Sequence, residues 1–86
     1  MKKLISFEPQ AFEQLVLWGK KDIKVIPKIM KIIEDIKRNP FTGLGKPEPL
    51  KHNHQGYWSR RINDEHRLIY KVEQDRIIIV SCRNHY

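Results

Sequence analysis

The chain has 86 residues, which bounds it to one domain with a modest core. Hydrophobic residues make up 40%, too many for a disordered tail, and no apolar run is long enough to span a bilayer. Lys and Arg total 17 against 10 acidic residues, a formal charge of +7, which favours a polyanionic partner, nucleic acid before an acidic protein. A basic protein kept soluble by its charge is the plainer alternative. Cys82 is the single cysteine, so no intramolecular disulfide forms. With no signal-peptide pattern at the start, the expected compartment is a reducing cytoplasm.

In chain order, Leu4–Phe7 reads as a short strand. Pro9 suits the first turn of a helix, where its missing N–H costs nothing. Phe12, Leu15 and Val16 form a helical stripe to about Gly19. Asp22 is a candidate N-cap for a second helix. Ile26, Ile29, Met30, Ile33 and Ile36 follow with the spacing of a buried helix face. Pro27 requires either a start later than Asp22 or a kinked first turn. Asn39-Pro40 ends that helix.

Residues 40–56 form a loop rich in Pro and Gly, and loops this long in compact domains are often functional. Strands are expected over Tyr57–Ile62, His66–Val72 and Arg76–Cys82. Their short polar turns make them antiparallel neighbours. The order β-α-α-β-β-β defines an α+β domain spanning 1–86, a small antiparallel sheet with two helices on one face.

Parity turns this fold into a candidate site. Arg61 and Arg67 are equidistant from Asp64, so a hairpin centred there sets them directly opposite each other. If the next hairpin centres on Gln74, Ser81, Arg83 and His85 share the face of Arg67. Leu68, Tyr70 and Val72 then face the helices. Like charges across a strand pair repel, so this arginine cluster makes most sense when it meets phosphate. A one-residue slip in either turn reverses the facing.

Metal-free RNA cleavage needs a base for the ribose 2′-proton, a cation at the phosphate and an acid for the departing 5′-oxygen. Glu, Arg and His supply those roles. Glu48 lies between Pro47 and Pro49, which stiffen its backbone, although a solvated loop glutamate is the simpler reading. His85 and Tyr86 end the chain, where disorder is the default. The apolar strand before them should hold the tail near the arginine face. A histidine pKa near 6.5 suits proton transfer close to neutrality. His52 and His54 form a weak metal pattern without further ligands, so no metal or other cofactor is expected. His66 reads as a strand-start residue. Lys46, Lys51 and Arg61 are plausible phosphate contacts. Tyr57 and Trp58 beside Arg60 and Arg61 suit stacking on bases, but core packing is the stronger reading for Trp58.

The blocks Lys46-Pro-Glu-Pro-Leu-Lys-His-Asn53, Gly56-Tyr-Trp-Ser-Arg-Arg-Ile62, Glu65-His-Arg-Leu-Ile-Tyr70 and Cys82-Arg-Asn-His-Tyr86 closely resemble the YoeB (Txe/YoeB) toxins. These belong to the RelE superfamily of bacterial type II toxin–antitoxin systems. The resemblance covers nearly the whole chain and is densest from Pro40 onward. It implies a RelE-like fold and an mRNA interferase that cleaves mRNA in the ribosomal A site without metal. It further implies Glu48 as general base, His85 as general acid, Arg67 at the transition-state phosphate and Tyr86 as a substrate-positioning residue. Lys51 and Arg61 fall where the family places phosphate contacts, and Glu65 matches a supporting acidic position beside the catalytic arginine; Lys46 and Arg83 join them as RNA contacts on the reading of the residues alone. Asn84 departs from the aromatic often found before the final His-Tyr. A cognate YefM-like antitoxin, the ribosome, mRNA and a second toxin copy are the implied partners, with no membrane. The competing class is a non-catalytic ribosome- or antitoxin-binding protein of the same fold, which would need neither a base nor an acid.

Overall fold

The computed structural model describes residues 3–51 and 56–85, without the side chain of His85. In chain order the elements are β1 (Leu4–Phe7), α1 (Pro9–Lys21), α2 (Val25–Arg38), β2 (Glu48–Pro49), β3 (Tyr57–Arg61), β4 (His66–Val72) and β5 (Arg76–His85). No helix among the described residues is long and apolar enough to cross a membrane.

Pro9 opens α1 as expected, and Lys20 and Lys21 lie in its last turn, where cations complement the helix dipole. Asp22 does not start α2. It closes α1, its N–H donating to the Trp18 carbonyl at 2.8 Å. The second helix begins later, at Val25, so Pro27 falls in the first turn and removes no intrahelical hydrogen bond. Val25, Ile29, Ile32, Ile33 and Ile36 form its buried stripe. Met30, expected inside, is 38% exposed; Ile32 takes the inward position.

The sheet has five strands in the order β1-β5-β4-β3-β2. It is mixed, not purely antiparallel, because β1 pairs with β5 in parallel, Leu4 opposite Arg76 and Phe7 opposite Ile79. No hairpin ties β1 to a neighbour. It reaches the sheet edge by a long crossover that includes both helices, and such a connection permits parallel pairing. The other added strand, β2, is a two-residue segment inside the expected loop. Leu68, Tyr70, Ile77, Ile79 and Cys82 from the sheet meet Ala11, Trp18, Ile29 and Ile36 from the helices in one core.

Arg60 lies fully buried within this core. Its Nε donates to the Tyr70 hydroxyl at 3.1 Å. One terminal nitrogen donates to Asp35 Oδ2 at 2.6 Å and to the Leu44 carbonyl at 3.1 Å. The other donates to the carbonyls of Asn39 at 2.5 Å and Thr42 at 3.1 Å. The chain after α2 therefore wraps around one guanidinium, satisfying carbonyls that no strand partner serves. Asp35 Oδ2 also accepts the Leu44 N–H at 2.9 Å, and the Tyr70 hydroxyl donates to the Pro40 carbonyl at 2.6 Å. Two glycines make the wrap sterically feasible. A Cβ at Gly43 would meet Asp35 Oδ2, and one at Gly45 would lie 2.8 Å from the Arg61 carbonyl; both have positive φ.

The Leu44 N–H and the Arg60 guanidinium hold the Asp35 carboxyl below its ordinary value of 3.8. The folded state therefore favours the carboxylate. Its stabilising contribution is complete above that value and is lost as pH falls below it, through the folded pKa. Asp35→Ala is expected to cost about 3 kcal/mol at neutral pH, the scale for stripping a buried charge of its partner. Urea unfolding of both proteins should show this gap narrowing as pH drops below 3.8. A gap that stays constant into acid would mean that the carboxylate charge does not hold Arg60.

Candidate active site

The face of the sheet opposite the helices is built from alternate residues of β3 and β4. Antiparallel register sets Arg61 opposite Arg67 and Ser59 opposite Ile69, as the turn at Asp64 implied. Asn63 makes that turn, its Oδ1 accepting the N–H groups of Glu65 at 2.9 Å and His66 at 2.8 Å. The segment wrapped around Arg60 then delivers Glu48. The Arg61 N–H donates to the Gly45 carbonyl at 2.7 Å, and the Leu50 N–H to the Tyr57 carbonyl at 2.8 Å. Between these two bonds, β2 pairs Glu48 with Ser59. Lys46, with φ of 53°, takes the left-handed region that few non-glycine residues adopt.

This register brings Glu48 and Arg67 together. Glu48 Oε1 lies 3.7 Å from an Arg67 terminal nitrogen, with the Glu48 side chain 57% exposed and that of Arg67 only 8%. The same nitrogen donates to Ser59 Oγ at 3.1 Å. A buried serine thus fixes the direction of a guanidinium whose carboxylate partner stands in solvent. Ser59 carried no weight in the sequence, yet it shares parity with Arg61 and follows Trp58 outward. Arg61 is exposed, as are Lys46 and Lys51 on either side of β2, so these cations border the pair. Glu65 is exposed in the turn before β4.

The last strand departs from the expected alternation. Its turn centres between Gln74 and Asp75, with Val72 opposite Ile77. Two register shifts follow, so Ile69 pairs with Ser81, and Arg67 with Asn84. Ser81 keeps its expected face. Arg83 does not join Arg67: its guanidinium lies over the Trp18 ring at 5.3 Å, on the helix side. His85 takes the register position opposite His66 instead of following Arg67 by simple alternation. The His85 side chain, Tyr86, His52 and His54 lie outside the described residues. His66 begins β4 and is buried edge-on against Trp18 at 4.9 Å between ring centres.

Arg60 is likewise not a surface cation beside Tyr57, because it shares the inward parity of Trp58 and Ile62. Trp58 packs against the core and against Phe41 at 4.9 Å. Cys82 is buried, and desolvation pushes its thiol up to about 11, so it stays protonated at neutral pH and is a poor nucleophile. No group of three or more His, Cys, Asp or Glu among the described residues is placed to hold a metal ion.

A small basic α+β domain whose open sheet face sets a carboxylate beside two opposed arginines is a compact domain with a face suited to an anion. The chain matches the family described as YoeB-like toxin of bacterial type II toxin-antitoxin system over residues 7–86. Toxin YoeB of Escherichia coli O6:H1 is 50% identical over 84 residues, covering 98% of this chain and 99% of that protein. The solved YoeB dimer from Staphylococcus aureus superposes with a TM-score of 0.92 at 47% identity, covering all of both chains. A solved YoeB–YefM complex from the same organism gives 0.88 at 46% identity, again over both full chains. The chain belongs to the YoeB family of type II toxins.

Arg61 and Arg67 stand opposite each other as like charges. Arg61→Gln should therefore raise fold stability by a few tenths of a kcal/mol, within the roughly 0.2–1 kcal/mol scale of cross-strand pairs. Urea midpoints check the direction, and a midpoint that stays or falls would mean that the two guanidiniums do not repel across the strand pair.

Proposed function

We propose that this toxin is a metal-independent endoribonuclease that enters the ribosomal A site in the cytoplasm and cleaves the bound mRNA. The observation that carries this reading is the Glu48–Arg67 pair, with its carboxylate in solvent and its guanidinium oriented by Ser59. In the proposed reaction Glu48 takes the proton of the ribose 2′-hydroxyl. The 2′-oxygen bonds to phosphorus, and the bond from phosphorus to the 5′-oxygen breaks. Arg67 stabilises the charge that builds on the phosphoryl oxygens, a role suited to its planar fork. His85, the residue after Asn84 on β5, gives its proton to the departing 5′-oxygen, and Tyr86 positions the substrate. Products end in a 2′,3′-cyclic phosphate and a 5′-hydroxyl. Lys46, Lys51 and Arg61 hold the flanking phosphates, with Glu65 as a supporting acidic residue. The face is already strongly positive, so the mechanism draws on arginine where other nucleases use a divalent ion. A YefM-like antitoxin and a second toxin copy are the proposed protein partners, supported by the YoeB–YefM complex and the YoeB dimer among its relatives.

Arg67→Lys keeps the charge but loses the fork, so cleavage on programmed ribosomes should fall sharply while circular dichroism is unchanged. Normal cleavage by the lysine variant would reduce Arg67 to a point charge.

The chemistry itself is tested with mapped product ends. Cleavage of free RNA should persist in excess EDTA, and a 2′-O-methyl group at the cut site should leave the substrate bound and intact. His85→Ala should lower the rate on the order of a hundred- to ten-thousand-fold, the usual contribution of a general acid. Cutting of the blocked substrate, or rescue of EDTA-treated enzyme by magnesium, would overturn the scheme.

A further inference from the structure

Beside the Glu48–Arg67 pair the open face sinks into a cleft of about 540 Å³, within the range of small-ligand sites. Its apolar surfaces come from Leu50, Tyr57 and Ile69. Its polar wall is Gln14, Ser81 and Asn84, and among the described residues no lysine, arginine or carboxylate lines it. The position of the cleft follows from the register. Ile69 stands two residues along β4 from Arg67, on the same face, and Asn84 is the cross-strand partner of Arg67 itself. Any chain whose phosphate rests on Arg67 has its neighbouring group at this opening.

The lining also indicates what that group is. A phosphate would seek the cations next door. An apolar floor with an aromatic ring, closed by amide and hydroxyl groups, matches a flat body with apolar faces and a polar edge. The polar wall is rigid. Gln14 Oε1 accepts Ser81 Oγ at 3.0 Å and the N–H groups of Cys82 and Arg83 at 2.7 and 3.1 Å, so α1 pins this stretch of β5. Asn84 is exposed at the mouth, carrying both an amide donor and an acceptor.

The geometry points to a nucleobase subsite: the cleft holds the base of the nucleotide flanking the cleaved phosphate, and Asn84 reads the edge of that base. This deepens the nuclease reading and rests on it. Asn84 is then a specificity residue, selecting bases by amide hydrogen bonds.

The test measures binding without chemistry. Short RNAs carry a 2′-O-methyl block at the cut site and differ only in the flanking nucleotide, which bears each of the four bases or none. Fluorescence anisotropy with the intact protein should show base-bearing RNA binding on the order of tenfold more tightly than the abasic one, with a preference among the bases. Asn84→Ala should flatten that preference and leave abasic affinity where it was. Tyr57→Ala should weaken all base-bearing RNAs toward the abasic value.

Equal affinity for abasic and base-bearing RNA would overturn the subsite. An unchanged base preference in Asn84→Ala would overturn the reading role. Amide-exchange protection of Ile69 and Ser81 by the antitoxin but not by RNA would assign the cleft to a protein and overturn it as well. A protein that discriminates bases yet fails to cut unblocked RNA would sink the nuclease scheme and leave the base subsite standing.

Discussion

One buried cation organises the region on which the site depends. Burying a guanidinium is costly unless every donor finds an acceptor. Arg60 meets that demand with Asp35, Tyr70 and the carbonyls of Asn39, Thr42 and Leu44. Seen from the loop, the same bonds serve carbonyls that would otherwise be stranded at the end of α2. Neither partner can be removed alone, so the path from Asn39 to Gly45 is closely determined. Glu48 lies only a few residues further on. Its position is fixed by a charge on the other side of the sheet, one residue along β3 from the serine that directs Arg67.

Arg60 and Arg67 show how strand parity separates structure from chemistry. They face opposite sides of the sheet and both are largely inaccessible. The carboxylate partner of Arg60 is mostly buried, whereas that of Arg67 is more than half exposed. A pair closed off from solvent is committed to the fold. A pair with one member in water is screened, and its carboxylate moves at small cost. Arg67 is therefore held in direction by Ser59 while its carboxylate partner stays in contact with solvent.

The strand framework was legible because its turns were short and its alternation strong. Leu4–Phe7 and His66–Val72 match the expected strands residue for residue, and the opposition of Arg61 and Arg67 follows from the Asn63 turn. The Asp22 assignment failed for a local reason: a carboxylate next to a helix boundary is equally readable as the end of one helix or the start of the next. The face of Arg83 failed for a tertiary reason. The register shifts in β5 accompany a change of neighbour, since β1 pairs only as far as Ile79 and α1 takes over beyond it. Gln10 donates to the Val80 carbonyl, Gln14 accepts from Cys82 and Arg83, and Trp18 donates to the Cys82 carbonyl. These side chains recur every four residues along α1, one per helical turn. They act as a substitute strand, which hydrophobic periodicity does not reveal because two of the three are polar.

That substitution bears on why a domain this small can carry a site at all. A strand end normally frays, and the last residues of a chain are the least ordered. Here the end of β5 is held on one side by β4 and on the other by side chains of α1. The amide of Gln14 alone engages two backbone donors and a hydroxyl, so slipping the strand by one residue would break all three bonds at once. Asn84 is thereby kept opposite Arg67, and His85 follows at a set distance along the backbone. The core is modest, and the precision comes from polar side chains that fix register where apolar packing would tolerate a slip. The cost is carried by the buried Arg60 and Ser59 and the half-buried Gln14, whose hydrogen bonds must all form together. Loss of any one of them frees the register of the open sheet face around Glu48 and Arg67.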